Sequence, residues 1–332
     1  MSQPPRKILV LGGTAWLGRQ LCHEAVGRGH VVWCLARGES GPAAEGARLV
    51  RADRRTAGAY DTVRERHWDA VIDLSWQPGL VRSALVAFSE RAAQWIYVSS
   101  ASVYASHAVP GADERSELLE PTELDEVEVD LYGPAKVACE RACHDGHPSV
   151  LIARAGLIGG PGDVSDRAGY WVARAARDPA TAMLVPDSPE AMTQVIDFRD
   201  LAAWLIDCAE QGTVGTYDAV GEVIALAEWI EVSRSVGGHS GAVVAADGAW
   251  LLAHGVEEFM GPEALALWIA DPDWRGFGAR SGYAAARAGL IRRPVRETLA
   301  DTLSWERAQG LSRVRQSGIS AEREAELLAM LR

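Results

Sequence analysis

Asparagine is absent from this 332-residue chain, and lysine occurs only as Lys7 and Lys136, arginine supplying the rest of its positive charge. Net basicity is lacking too: the formal charge is −12. A nucleic-acid partner needs clustered Lys and Arg to neutralise phosphates, so that class is excluded. The acidity gathers in segments such as Glu114–Glu128 and the last helix, which read as solvated faces. No apolar run approaches the ~20 residues needed to span a bilayer, so no membrane partner is expected. The opening MSQPPRK leads directly into a short apolar strand, too brief for a signal-peptide core, and a cytoplasmic protein is expected.

The five cysteines form no CxxC pair. Cys139 and Cys143 would share a helix face, but no His/Cys quartet surrounds them, so reduced core thiols explain them better than zinc does. The histidines include no HxxxH or HExxH pair, so no metal is expected, and His107 reads as incidental.

What is present is a strand–helix alternation. Short apolar runs at 7–11, 31–35, 48–50, 70–74, 95–99 and 149–154 read as strands. Helical spacing falls at 17–28, 80–93 and 133–145. Such alternation implies an α/β fold: a doubly wound parallel sheet of the Rossmann type, covered on both faces. After residue 155 the pattern changes. Gly, Pro and Asp punctuate 159–166, and a short strand near 194–197 lies between helical stretches at 169–177 and 200–210. Further helical patches follow at 225–236, 247–254, 262–270 and 320–331. A smaller, mostly helical C-terminal lobe is expected.

Leu9–Gly18 (LVLGGTAWLG) places glycines between the first strand and its helix. Amides at a helix N-terminus can hold a pyrophosphate. Gly12 permits the tight turn and Gly18 close helix–strand packing, although Ala15 occupies the central position of the spacing. Thr14, Ala15, Trp16 and Leu17 complete the expected dinucleotide loop. Residues 1–158 then form a dinucleotide-binding domain, and 159–332 form mainly a substrate-binding lobe, with some segments returning to the first domain. The second strand ends in Leu35-Ala36-Arg37-Gly38 without a carboxylate for a ribose 2′-hydroxyl. Arg37 can pair with a 2′-phosphate, which favours NADP(H), with NAD(H) the other option. Arg54 would add charge there, and Asp53 would meet the adenine amino group.

Tyr132 and Lys136 stand four residues apart at the start of a helix, on one face. A free tyrosine titrates near ~10. An ammonium beside a phenol favours the phenolate and makes an acid–base group suited to a carbonyl. The fifth strand ends in Ser99-Ser100-Ala101-Ser102, where a hydroxyl can donate to the same oxygen.

In this order, GGTxxLG, the SSAS-VY strand end and YxxxK resemble an extended or atypical short-chain dehydrogenase/reductase of the NAD-dependent epimerase/dehydratase type, over roughly residues 7–210. By that resemblance Ser100 is the catalytic hydroxyl, with Ser99 and Ser102 as rivals, Tyr132 the acid–base and Lys136 the ribose-binding lysine. Leu74 and Ser75 should line the cofactor, and Gly156 and Leu157 should lie near the nicotinamide. Trp76, Ser102, Tyr170 and Trp171 are the substrate-side candidates.

Dehydratases of this kind carry Asp and Glu at the strand end, and Ser100-Ala101-Ser102 has neither. Epimerases carry an Asn after the sixth strand, and this chain has none. The reading is therefore an NADPH-dependent reductase of a small ketone or aldehyde, an oxidoreductase acting on CH–OH or C=O groups. A sugar-nucleotide epimerase or dehydratase is the first alternative and a non-catalytic dinucleotide sensor the second. A small carbonyl or alcohol substrate and a homodimer complete the expectation.

Overall fold

The computed structural model describes residues 4–331. Six strands come first: β1 (Lys7–Leu11), β2 (Val31–Ala36), β3 (Arg48–Arg51), β4 (Ala70–Asp73), β5 (Trp95–Ser100) and β6 (Val150–Ala155). Helices α1 (Trp16–Gly27), α2 (Pro78–Phe88) and α3 (Tyr132–Gly146) lie among them. Beyond come β7 (Leu157–Gly159), α4 (Tyr170–Arg177), β8 (Met183–Asp187), β9 (Met192–Asp197), α5 (Phe198–Gln211) and β10 (Gly215–Ala219).

Seven strands form one sheet in the order β10-β6-β5-β4-β1-β2-β3, and every pair in it is parallel. Successive residues of β1 feed opposite cores: Ile8 and Val10 face α1 and α5, whereas Leu9 and Leu11 face α2 and α3. Burial on both faces is why these strands read as continuous apolar runs. From β1 the chain winds first toward β3 and then, through β4, toward β6. The reversal opens a crevice at the carboxyl ends of β1 and β4, the ligand position of doubly wound sheets.

The first domain is not finished at residue 158. Strand β10 adds the seventh strand, α5 packs on α1, and Ala285 and Leu290 join the same core. The remaining C-terminal part has its own core, built around Trp171, Trp229 and Trp268. Helices supply more of it than strands do, but it is not helical alone. Besides helices at Leu226–Gly237 and Val295–Gln309 it contains a three-stranded sheet and two strand pairs. Segment 262–270, expected as helix, holds the strand Ala264–Ala266 paired with Glu257–Phe259. Ala264, Leu265 and Ala266 are all buried, and a short run apolar on every side carries no period to separate helix from strand.

Candidate functional site

The glycine loop stands at the sheet's switch point. Gly12 has φ +97°, a left-handed conformation that glycine adopts freely. A Cβ on Gly18 would fall 2.3 Å from the Gly12 carbonyl oxygen, so α1 can approach the loop only with glycine there. Gly13, not singled out from the sequence, is constrained by side chains rather than backbone: a Cβ there would lie 2.7 Å from the Cys34 sulfur. No side chain caps the start of α1, and Ala15 as N-cap leaves its first amides free for an anion. An open cleft of about 920 Å³ runs from this loop past the ends of β2, β3 and β4. Gly12, Thr14, Ala15, Arg37, Asp53, Arg54, Leu74, Ser75 and Trp76 all border it. The residues present thus fit a dinucleotide: a close-packed loop, an uncapped helix start and a long crevice beside both.

Trp16 and Leu17 turn elsewhere. The Trp16 indole donates to the Pro161 carbonyl at 2.9 Å and stacks on Phe198 at 4.6 Å, tying the loop to the second lobe. Leu17 packs against the first core.

At the end of β2, the carboxylate missing from Leu35–Gly38 stands one residue further on. Glu39 borders the cleft and pairs with Arg37 at 3.2 Å. Arg54 is not a free charge either. Its two terminal nitrogens donate to Asp73 at 2.8 and 2.7 Å and its Nε to the Tyr60 hydroxyl at 3.1 Å. The buried Asp73 carboxylate raises the already high arginine pKa further against the opposing effect of burial. Arg54 therefore fixes the crevice floor and offers nothing to a 2′-phosphate. Asp53 stays at the crevice rim, its carboxylate taking the Arg55 amide.

At the other end, the three serines separate. Ser99 is buried and donates to Glu140, which is itself ion-paired with Arg154. That leaves Ser100 and Ser102, coupled to each other: the Ser102 amide donates to Ser100 Oγ and the two hydroxyls lie 3.1 Å apart. The next contact brings α3 to them. A Cβ on Gly133 would lie 2.5 Å from the Ser102 carbonyl oxygen, so glycine after Tyr132 lets the helix start dock here. One turn on, Lys136 is buried and donates to the carbonyls of Val98 at 2.7 Å and Ser75 at 3.2 Å. Its Nζ lies 5.8 Å from the Tyr132 ring centroid and 4.7 Å from that of Tyr97. Trp76 flanks Tyr132 with ring centroids 5.6 Å apart. Tyr132, Lys136, Ser100, Ser102 and Trp76 thus gather beside the β4 end of the crevice.

Other expected contacts do not form. Tyr170 and Trp171 are 1% and 0% exposed; they belong to the second core, and the Trp171 indole donates to the Ala266 carbonyl. They are packing residues, not substrate contacts. Leu157 points into a second cleft and the second core, away from the crevice, while the Gly156 amide is tied to the Ala219 carbonyl at the sheet end. Among the described residues no group of three His, Cys, Asp or Glu is arranged to hold a metal, and no helix is long and apolar enough to cross a membrane.

Residues 8–218 match the NAD dependent epimerase/dehydratase family, and the chain belongs to that family. Its fold is shared by solved structures. An epimerase candidate from Burkholderia cenocepacia J2315 is 23% identical, with a TM-score of 0.69 over 92% of this chain and 99% of that one. The UDP-glucuronic acid 4-epimerase from Bacillus cereus, solved with NAD, is 16% identical, with a TM-score of 0.63 over 91% and 99%. The enzyme WbmG from Bordetella bronchiseptica, solved with NAD and UDP, is 17% identical, with a TM-score of 0.65 over 93% and 96%. Among curated proteins no sequence matches the chain. A nicotinamide dinucleotide cofactor is supported, whereas the expected NADP(H) preference is not. The family likewise backs the epimerase or dehydratase alternative better than the ketone or aldehyde reductase.

Proposed function

We propose that this chain is an NAD(H)-dependent epimerase that inverts one carbinol carbon of a nucleotide-linked sugar. The observation that carries the reading is the make-up of the site beside Tyr132. It contains a phenol, a buried ammonium and two hydroxyls, and the β5 end holds Ser100-Ala101-Ser102 with no carboxylate for elimination. That set can move a proton on and off an oxygen but lacks the acid and base of a dehydratase. The pairing of Arg37 with Glu39 supports NAD(H), since a balanced charge at the β2 end gives a 2′-phosphate little attraction.

Bound nicotinamide supplies the hydride acceptor and, on return, the donor. Tyr132 takes the substrate hydroxyl proton as the carbinol is oxidised and returns it when the opposite face is reduced. Ser100 turns its one hydroxyl proton from Ser102 Oγ to the same oxygen as that oxygen gains charge, while the Ser102 amide, donating to Ser100 Oγ, holds the side chain in place. Lys136, fixed by the Val98 and Ser75 carbonyls, keeps a positive charge under the phenol.

The test is incubation of purified protein with UDP-hexoses and UDP-hexuronic acids in D2O, followed by NMR. Inversion at one carbon, with no deuterium incorporated there and no net change in NAD(H), is expected. Stoichiometric NADPH consumption with a simple carbonyl substrate, and no inversion, would overturn the reading.

A further inference from the structure

Trp76 stands apart from the tryptophans that build the cores. Trp95, Trp171, Trp204, Trp229 and Trp268 are fully buried. The indoles of Trp171, Trp204 and Trp268 donate to the Ala266 carbonyl, the Ala288 carbonyl and the Ser188 hydroxyl. Trp76 is only half-buried and joins none of the hydrophobic cores, and its indole N–H donates to no described residue. The ring it meets is that of Tyr132, tilted by 52° with centroids 5.6 Å apart. Trp76 also borders the dinucleotide crevice. Neither core packing nor an internal hydrogen bond accounts for a tryptophan here.

The backbone on both sides of the ring is fixed. Before it, the Ser75 amide donates to Asp73 at 2.9 Å, and the Ser75 carbonyl accepts the Tyr97 hydroxyl at 2.9 Å and Lys136 Nζ at 3.2 Å. After it, the buried Gln77 side chain donates to the Val127 carbonyl at 3.0 Å and accepts the Val127 amide at 2.9 Å. The Gln77 amide donates in turn to Ser75 Oγ at 3.2 Å. Lys136 therefore holds the mount of Trp76 as well as the charge beneath Tyr132, and the indole and the phenol keep one relative position. On so rigid a mount only two side-chain torsions remain to be ordered when a ligand covers the ring, which keeps the entropic cost of contact low.

We propose that Trp76 is a specificity-determining residue whose indole face packs on the sugar ring that carries the reacting carbon. The inference deepens the epimerase reading and rests on it. The π face of an indole is negative, and the C–H groups along one face of a pyranose present weakly positive hydrogens to it. The hydroxyls at the ring edge stay free for Tyr132 and Ser100. An open-chain carbonyl compound has no such face, so the wall selects a cyclic substrate. Ligand sites of this make-up, an apolar aromatic wall with a few placed polar groups, combine shape selection with orientation.

The test is calorimetric titration of NADH-loaded protein with UDP, UDP-glucose, UDP-galactose and UDP-glucuronate, on the native chain, Trp76→Ala and Trp76→Phe. With NADH in place there is no hydride acceptor, so binding is read without turnover. The native chain should bind at least one UDP-sugar more tightly than UDP. Trp76→Ala should cut that advantage about three- to tenfold and leave UDP affinity, NADH affinity and Tm unmoved. Trp76→Phe, which keeps an aromatic face, should restore most of it. An advantage unchanged in Trp76→Ala would overturn the role of Trp76, as would a native chain that binds UDP and the UDP-sugars equally. A loss of NADH affinity in Trp76→Ala would put the indole on the cofactor, and a lower Tm would make it a packing residue; either result overturns the proposal. A native chain that binds neither UDP nor any UDP-sugar would overturn the nucleotide-linked substrate itself, and the role of Trp76 with it.

Discussion

Arg37 and Glu39 face each other at 3.2 Å at the rim of the dinucleotide crevice, and both side chains are at least half exposed. An exposed pair of this kind holds little energy, so its effect is on charge, not stability. Glu39 repels a 2′-phosphate whichever way Arg37 points. Removing that charge in Glu39→Gln should free the guanidinium and shift the ratio of NADP(H) to NAD(H) affinity about tenfold or more toward NADP(H). Fluorescence titration with both cofactors measures it. An unchanged ratio would show that neither side chain meets the ribose.

Lys136 and Tyr132 separate binding from chemistry. Tyr132→Phe keeps the ring against Trp76 and loses only the hydroxyl, so NAD affinity should persist while kcat falls about 10²–10⁴-fold. Lys136→Met should do more. It strands the Val98 and Ser75 carbonyls in a buried position, at a cost of about 1–3 kcal/mol, and removes the charge beneath the phenol. Kinetics with matched urea unfolding checks both. Full turnover in Tyr132→Phe would remove it as the proton carrier.

Arg54 and Asp73 form a buried, two-pronged ion pair under the crevice. Breaking such a pair leaves an uncompensated charge and costs about 3–5 kcal/mol. Arg54→Leu should therefore lower stability by that order in urea titration and leave the NADP(H)/NAD(H) ratio untouched. A changed ratio with normal stability would restore Arg54 as a phosphate ligand.

These cases show which features are legible in a sequence and which are not. β1, β4 and β5 declare themselves because burial on both faces makes each an apolar run that ends in, or runs directly into, Gly, Asp or Ser. The gathering of Tyr132 and Lys136 is likewise local, since one helical turn sets it. What depends on distant partners is invisible. Nothing near Arg54 announces that Asp73, on another strand, takes its guanidinium, and Glu39 matters only because the β2 end bends it toward Arg37. Tyr170 and Trp171 look suited to a cleft by residue type, but α4 is packed within the second core and hides both.

His107 gives stability a pH dependence with a definite sign. Its ring stacks on Trp274 at 4.6 Å and meets Phe277 edge-on at 5.1 Å, in a buried position. Burial first, and the Arg280 charge second, lower its pKa from 6.5 to about 4. The folded chain therefore resists a proton that the unfolded chain accepts. The contribution of neutral His107 is complete above pH 6.5 and is lost progressively as pH falls toward about 4, below which both states are protonated. His107→Phe keeps the aromatic contact and cannot take up a proton, so its Tm should fall less than that of the native chain between pH 6.5 and 4. Thermal melts across that interval measure the difference. Parallel Tm curves for the two proteins would mean that the imidazole protonates in place, with water reaching it between Trp274 and Phe277.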